Sequence, residues 1–208
     1  MNEDKIIQWA QRLLGVAQCG LTYNHDNPYE TERYHHIQAL AAEMMAAVSD
    51  VSPERLLNLF TDESRNGYAT PKVDVRGVVF KDERILLVKE HVTQRWTLPG
   101  GWVDVGDTPS LAVEREVFEE SGYEVKARKL LIVADRNRHY PPSTFHIYKL
   151  FFLCELLGGS SVVSHETDEI GFFAEDSLPP LDEGRTSYAH LARCFEHYRQ
   201  PQLAADFD

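Results

Sequence analysis

The run Gly100-Gly101-Trp102-Val103-Asp104-Val105-Gly106-Asp107, followed by Arg115-Glu116-Val117-Phe118-Glu119-Glu120-Ser121-Gly122, constrains this chain more than any other segment. Its glycines make a turn, and Thr108-Pro109 then offers an N-cap and a proline for the first helical position. Gly122 offers a left-handed C-cap, so a helix is predicted from about 109 to 121. Glu116, Glu119 and Glu120 stand at i, i+3 and i+4 and share one face of that helix. A solvated helix face is the bland reading of such charges. Like charges at this spacing cost roughly 0.2 to 0.5 kcal/mol per pair, and acids near a helix C-terminus also meet the negative end of its dipole. Stability would not select this face, whereas a bound cation turns the repulsion into attraction. Mg²⁺ in particular takes carboxylate oxygens and keeps waters for substrate phosphates. A calcium loop starting at Asp104 is excluded, because Pro109 occupies the sixth position, where glycine is needed.

A chain of 208 residues, 43% hydrophobic, can bury one good core and carry a smaller appendage. The net charge of −12 argues against nucleic acid as a partner, since non-specific binding rests on clustered Lys and Arg. Apolar runs such as Leu150 to Leu157 are too short for a bilayer, and Met1-Asn2-Glu3-Asp4 does not begin a signal pattern. The expectation is a cytoplasmic protein without a membrane partner. Cys19, Cys154 and Cys194 form no CxxC pair and read as buried apolar thiols.

Apolar residues from Asp4 to Ala17 fall at helical intervals. After a loop from Gly20 to Asn27, a second helix runs through Tyr34, Ala41, Met45 and Val48. Ser52-Pro53 opens a third, through Leu56 and Phe60. Residues 1–65 are expected to form a helical domain. Beyond the polar stretch Thr61 to Gly67 the pattern turns to strands at Val73 to Phe80 and Arg84 to Lys89, joined by a turn at Lys81-Asp82-Glu83. Further strands are predicted at Lys126 to Ala134, Phe145 to Leu156 and Glu169 to Phe173, with a closing helix at Tyr188 to Tyr198. Strands interrupted by isolated helices imply an α/β or α+β sandwich over residues 66–208.

The run resembles the Nudix box, G-x5-E-x7-R-E-U-x-E-E-x-G-U, where U is a bulky aliphatic residue. Here it reads Gly101-x5-Asp107-x7-Arg115-Glu116-Val117-x-Glu119-Glu120-x-Gly122-Tyr123, preceded by the lead-in Trp96-Thr97-Leu98-Pro99-Gly100. Asp107 and Tyr123 are the two departures, and neither removes a glutamate of the helix. The resemblance implies an α/β/α sandwich with a mixed sheet. It also implies hydrolysis of a nucleoside diphosphate linked to another group, with Mg²⁺ or Mn²⁺ activating water. Glu116 and Glu120 would be core metal ligands, Glu119 a direct or water-mediated one, and the Gly101 carbonyl a further contact. Arg115 would orient the glutamates, and Asp107 could pair with Arg115 or stabilise the loop.

This chemistry needs a general base, for which Glu166 in His165-Glu166-Thr167-Asp168-Glu169 is the first candidate and Glu119 the alternative. A pyrophosphate also needs cations on its non-reacting oxygens. Arg95, Arg136, Arg138, His139 and Lys149 are the candidates. Gly20 to Tyr23, Tyr29 to Tyr34 and Pro179 to Thr186 resemble a narrower bacterial group, whose members carry an N-terminal helical domain. That likeness implies ADP-ribose or CDP-choline as substrate and a homodimer. Tyr23, Tyr29 and Tyr34 could stack on a base or pack in an interface. Two other readings remain: a nucleoside triphosphate pyrophosphatase, and a nucleotide-sugar sensor without turnover, which would not need the intact glutamate triplet.

Overall fold

The computed structural model describes residues 3–23, 26–64, 69–104, 106–140 and 143–208, the side chains of 61–64 excepted. The chain divides into two compact units, residues 1–72 with 141–146, and residues 73–140 with 147–208. Met1 and Asn2, part of the 20–27 loop, most of the polar stretch at 61–67, the 65/66 boundary and Val105 lie outside the described residues or side chains.

The first unit holds helices α1 (Glu3–Tyr23), α2 (Pro28–Ala46) and α3 (Pro53–Ser64). α1 continues to Tyr23, beyond the expected end near Ala17, so the following loop is shorter than Gly20 to Asn27. Asn27 caps α2 by accepting the Tyr29 and Glu30 N–H groups, which fixes its start at Pro28. The three helices close over Ala10, Ala41, Ala42, Met45, Leu56 and Phe60. α1 and α2 approach closely at Gly20, since a Cβ there would lie 2.3 Å from the Tyr34 ring. Cys19 is only half-buried, a correction to its reading as a core thiol, whereas Cys154 and Cys194 are buried.

The second unit is built on strands β1 (Lys72–Lys81), β2 (Arg84–Glu90), β3 (Trp96–Thr97), β4 (Tyr123–Asp135), β5 (Ile147–Gly159), β6 (Thr167–Phe173) and β7 (Asp206–Phe207). Its helices are α4 (Pro109–Ser121), the four-residue α5 (Arg136–His139) and α6 (Tyr188–Arg199). The sheet order is β3-β2-β1-β5-β4-β7, with β6 paired to β2. β4 pairs antiparallel with β5 and parallel with β7, which makes the sheet mixed. Asp82 and Glu83 both take positive φ, as a two-residue hairpin loop between β1 and β2 requires.

Alternation along β1 and β2 sorts the core into two layers. Val75, Val79 and Leu86 face one way and meet Ala112, Val113 and Val117 of α4. Val78, Ile85 and Leu87 face the other way and meet Leu191, Cys194 and Phe195 of α6. A sheet covered on both faces needs apolar residues at successive positions, which is why these strands read as continuous hydrophobic runs. Gly77 sets the height of α4 over β1, because a Cβ there would lie 2.3 Å from the Val117 side chain. No helix among the described residues is long and apolar enough to cross a membrane.

Candidate active site

α4 begins and ends where its caps dictate. Thr108 accepts the Leu111 N–H at 3.3 Å, and Gly122 takes φ 72° while donating its N–H to Phe118 O. With both ends fixed, Glu116 and Glu120 turn into a cleft of about 720 Å³. The other walls of this cleft come from β1, β5, the 164–166 loop and the 184–185 segment.

Glu120 is 5% exposed and accepts the Gly100 N–H at 2.9 Å. Burial pushes its carboxyl up to about 8, against the opposing pull of Arg76 and the Gly100 N–H. Burial also raises Glu116, with Arg115 opposing. Gly101 approaches Glu116 so closely that a Cβ would stand 2.7 Å from Oε2. The Gly101 carbonyl accepts the Val75 N–H at 2.8 Å, leaving its second lone pair for other contacts. Arg115 gathers the acids of the run: Glu116 at 2.8 Å, Glu119 at 3.1 Å, and Asp104 and Asp107 at 3.4 Å each. Asp107, although one methylene shorter than glutamate, still reaches the guanidinium.

The donor set suits a hard divalent cation, since burial raises the Glu116 and Glu120 carboxyls despite Arg115 and Arg76, and a bound cation would favour their ionised forms. Glu116 and Glu120 would hold it from the cleft side, and Glu119 from the rim. Among the described residues no three acidic, His or Cys side chains already converge on one point. Water would therefore complete the coordination shell, as it usually does for Mg²⁺.

On the facing wall, Asp74 of β1 is chelated by Arg76, with Nε to Oδ1 at 2.9 Å and Nη2 to Oδ2 at 2.6 Å. Lys149 of β5 donates to the same Oδ1 at 3.1 Å. All three side chains are buried. Burial, and then the neighbouring Arg76, lower the Lys149 ammonium to about 7. Burial works against charge on Asp74 too, but its two cations outweigh that and hold it below the ordinary carboxylate range. The Arg76 Nη1 donates to Leu98 O at 3.2 Å, which ties this cluster to the strand leading into the glycine turn.

Of the residues singled out from the sequence, Gly101, Arg115, Glu116, Glu119, Glu120, Arg136, Lys149 and Glu166 line one cleft. Arg95, Arg138 and His139 do not, which corrects their expected place. Arg95 closes the turn before β3, its carbonyl accepting the Glu90 N–H while its side chain faces solvent. Arg138 and His139 follow Arg136 on α5, with Arg138 about 200° round the helix from Arg136. Arg136 faces the cleft and donates to Gly184 O, while His139 is held away from it by Asp208, 2.6 Å from its Nε2.

Sequence reading missed Asp74, Arg76, Trp102, Asp104 and Arg185, all of which line the cleft. Two charges inside the apolar run Val73 to Phe80 were the available signal for the first two. Arg185 reaches Glu90 at 2.8 Å, and Glu90 is buried, with its carboxyl raised by that burial. The Pro179 to Thr186 segment is thus anchored on the cleft wall, where the Thr186 hydroxyl also accepts the Leu98 N–H at 3.2 Å.

Comparison with known proteins agrees with this architecture. The family description "NUDIX domain" matches residues 70–194, and "UDP-X-like, N-terminal oligomerisation domain" matches residues 4–60. The chain is 40% identical over 207 residues to YjhB of Bacillus subtilis, whose name assigns it provisionally as an ADP-ribose pyrophosphatase. The match covers 99% of this chain and 98% of YjhB. A solved structure titled UDP-X diphosphatase is 31% identical, with both chains fully covered and a TM-score of 0.64. A Streptococcus suis structure titled ADP-ribose pyrophosphatase is 40% identical, covering 67% of this chain and 100% of its own, with a TM-score of 0.63. The glutamate helix, its glycine turn and these matches together establish that the chain belongs to the Nudix hydrolase family.

Proposed function

We propose that this Nudix hydrolase is a metal-dependent pyrophosphohydrolase that cleaves a nucleoside diphosphate linked to another moiety, of the ADP-ribose type. The products are a nucleoside monophosphate and a phosphorylated partner. The observation carrying this reading is the pairing of Glu116 and Glu120 with the cations Arg136, Lys149 and Arg185 in one cleft. That arrangement offers carboxylates for a Mg²⁺ or Mn²⁺ ion and positive charge for the oxygens of a pyrophosphate. A triphosphate substrate remains the alternative within this chemistry.

The cation, when bound, supplies charge neutralisation and an acidified water. The protein's part is to place the proton acceptor and the clamps. Glu166 is favoured as general base over Glu119, because the Glu119 carboxylate is already tied to Arg115. Glu166 lies on the cleft wall with the His165 imidazole 3.2 Å from its Oε1. It takes the proton of the attacking water as the P–O anhydride bond breaks, and Lys149 and Arg136 hold oxygens of the departing phosphate. The match of residues 4–60 to an oligomerisation domain supports a homodimer formed through the helical unit.

Purified full-length protein with Mg²⁺ or Mn²⁺ should release nucleoside monophosphate from a panel containing ADP-ribose and CDP-choline. Absence of monophosphate from every member, under conditions where the protein is folded, would overturn the reading.

A further inference from the structure

We propose that Asp208 is a positioning residue for the reaction: its one carboxylate grips both ends of the α5 turn and so holds Arg136 where it can clamp the pyrophosphate. The proposal rests on the reading that this cleft binds a pyrophosphate with Arg136 among its clamps, and it names what sets that clamp.

A four-residue turn is a poor structure on its own, because several dihedrals are fixed for very few internal bonds. Within α5 the Tyr140 N–H donates to Arg136 O, and the Asp135 side chain accepts the Asn137 N–H, both at 2.9 Å. Asp208 adds a contact at each end. Its Oδ2 accepts the Asp135 N–H, and its Oδ1 lies 2.6 Å from His139 Nε2. Asp135 immediately precedes Arg136 and His139 ends the helix, so one side chain holds the turn on both sides of the arginine. Burial works against charge on Asp208, yet the Asp135 N–H, His139 and Arg138 outweigh it and keep the carboxyl below the ordinary range.

The grip is anchored in turn. Asp206 and Phe207 of β7 pair parallel with Ile132 and Val133 of β4. Asp206 Oδ1 accepts from Arg193 Nη2 at 2.8 Å, and its Oδ2 lies 3.0 Å from His197 Nε2, both partners being on α6. Asp208 therefore follows a strand tied to both the sheet and a helix. The His139 ring also packs edge-on against His190, with centroids 5.0 Å apart, and His190 is stacked on Tyr140 and Phe151. From the turn so held, Arg136 reaches the cleft, where it donates to Gly184 O at 3.3 Å and lies 5.8 Å from the Tyr140 ring centroid. An arginine already placed loses less freedom when phosphate oxygens arrive, and that saving appears as affinity. Asp208 and His139 stand outside the cleft lining, so their effect on a bound pyrophosphate has to pass through Arg136.

Isothermal titration of the full-length protein in Mg²⁺ with methylenediphosphonate, whose P–C–P link does not hydrolyse, tests this. Arg136→Ala should weaken binding by about 10- to 100-fold, as loss of a charge-assisted hydrogen bond does. Asp208→Ala should weaken it by about tenfold, and His139→Ala, which releases one end of the turn, by less. Asp208→Asn and His139→Gln should each restore most of the loss, since an amide oxygen still accepts the Asp135 N–H and an amide nitrogen still donates to the carboxylate. Asp208→Ala added to Arg136→Ala should weaken binding no further, because both act through one clamp. Thermal melts establish that each variant is folded, and if Asp208→Ala is not, His139→Ala takes its place in the cycle. A wild type that does not bind the diphosphonate at millimolar concentration, a folded Asp208→Ala that binds normally, failure of both rescues, or losses that multiply in the double variant would each overturn the proposal. The expected cycle in a protein that releases no monophosphate from the substrate panel would support the grip on Arg136 while overturning the catalytic reading. Turnover in a protein whose losses multiply would do the reverse.

Discussion

Gly101 and Glu116 are in such close contact that a methyl group on the glycine would lie 2.7 Å from the glutamate Oε2 and 3.0 Å from its Cδ. The obstructing atoms are the far end of a flexible side chain, so Gly101→Ala should displace the carboxylate rather than the backbone. We expect a stability loss of about 1 kcal/mol or less, together with a 10- to 100-fold loss of turnover, since shifting a ligand's supports costs that much at metal sites. The neighbouring glycine should behave in the opposite way. Gly100 has φ 146°, and a Cβ there would stand 2.0 Å from Val75 O, with backbone that cannot step aside. Gly100→Ala should lose on the order of 2 to 4 kcal/mol. Urea unfolding and steady-state kinetics on the two variants separate these outcomes.

Glu120 leads to a prediction about pH. In the metal-free protein, burial lifts its folded-state pKa to about 8, well above that of an unfolded glutamate. Between those two values the native state binds the extra proton, so stability is highest below the unfolded pKa and falls as pH rises through about 8. Glu120→Gln removes the charge that has to be desolvated. In chelator at pH 8.5 the variant should be more stable than the wild type by on the order of 2 kcal/mol, and the difference should shrink toward pH 5. Turnover should be lost at both pH values, because glutamine is a poor ligand for a hard cation. Denaturant midpoints measured across that range check the first expectation, and product release checks the second.

The contrast between α4 and the rest of the cleft shows how much of this site is written locally. Thr108, Pro109 and Gly122 fix the helix ends by contacts within a few residues, so the phase of Glu116 and Glu120 was legible from spacing alone. The β1–β2 hairpin was legible for the same reason. Arg76 and Lys149 are different, because their shared partner Asp74 lies two residues away for one and 75 for the other. Only the pairing of β1 beside β5 brings Lys149 to it. Arg138 and His139 were misplaced because a four-residue helix interrupts the chain after β4, and nothing in Arg-Asn-Arg-His announces so short an element. β7 escaped notice too, since a two-residue strand has no periodicity to read.

Asp74 accepts hydrogen bonds from two buried cations, so its removal should be costly. Asp74→Asn would leave Arg76 and Lys149 facing one another without the carboxylate that now accepts from both. Breaking a buried ion pair from one side typically costs about 3 to 5 kcal/mol, because the remaining charge is uncompensated. The double variant Asp74→Asn with Lys149→Met should recover part of that loss, since it removes one of the stranded cations. Thermal unfolding of the single and double variants measures the recovery. A double variant no more stable than Asp74→Asn would show that Lys149 is not strained by loss of its partner.

His190 predicts a second pH dependence, separate from that of the cleft acids. Its ring lies stacked between Tyr140 and Phe151, with centroids 5.2 and 5.0 Å away, and its Nδ1 meets the hydroxyls of Ser187 at 2.7 Å and Tyr140 at 3.0 Å. A hydroxyl contact at Nδ1 and two aromatic faces suit the neutral ring. Burial, assisted by His139, lowers the pKa to about 4. An unfolded histidine titrates near 6.5, so below that value the unfolded chain binds a proton that the native state refuses. Stability from this residue is complete above about 6.5 and is lost progressively as pH falls through about 4. The ion pairs of Asp206 act lower, because that carboxyl is held at about 2 by Arg193. His190→Phe keeps the stacking but gives up the hydroxyl contacts, and should start about 1 kcal/mol less stable at pH 7. Its stability relative to the wild type should then rise between pH 6.5 and 4, a convergence that denaturation curves at half-unit pH steps would measure.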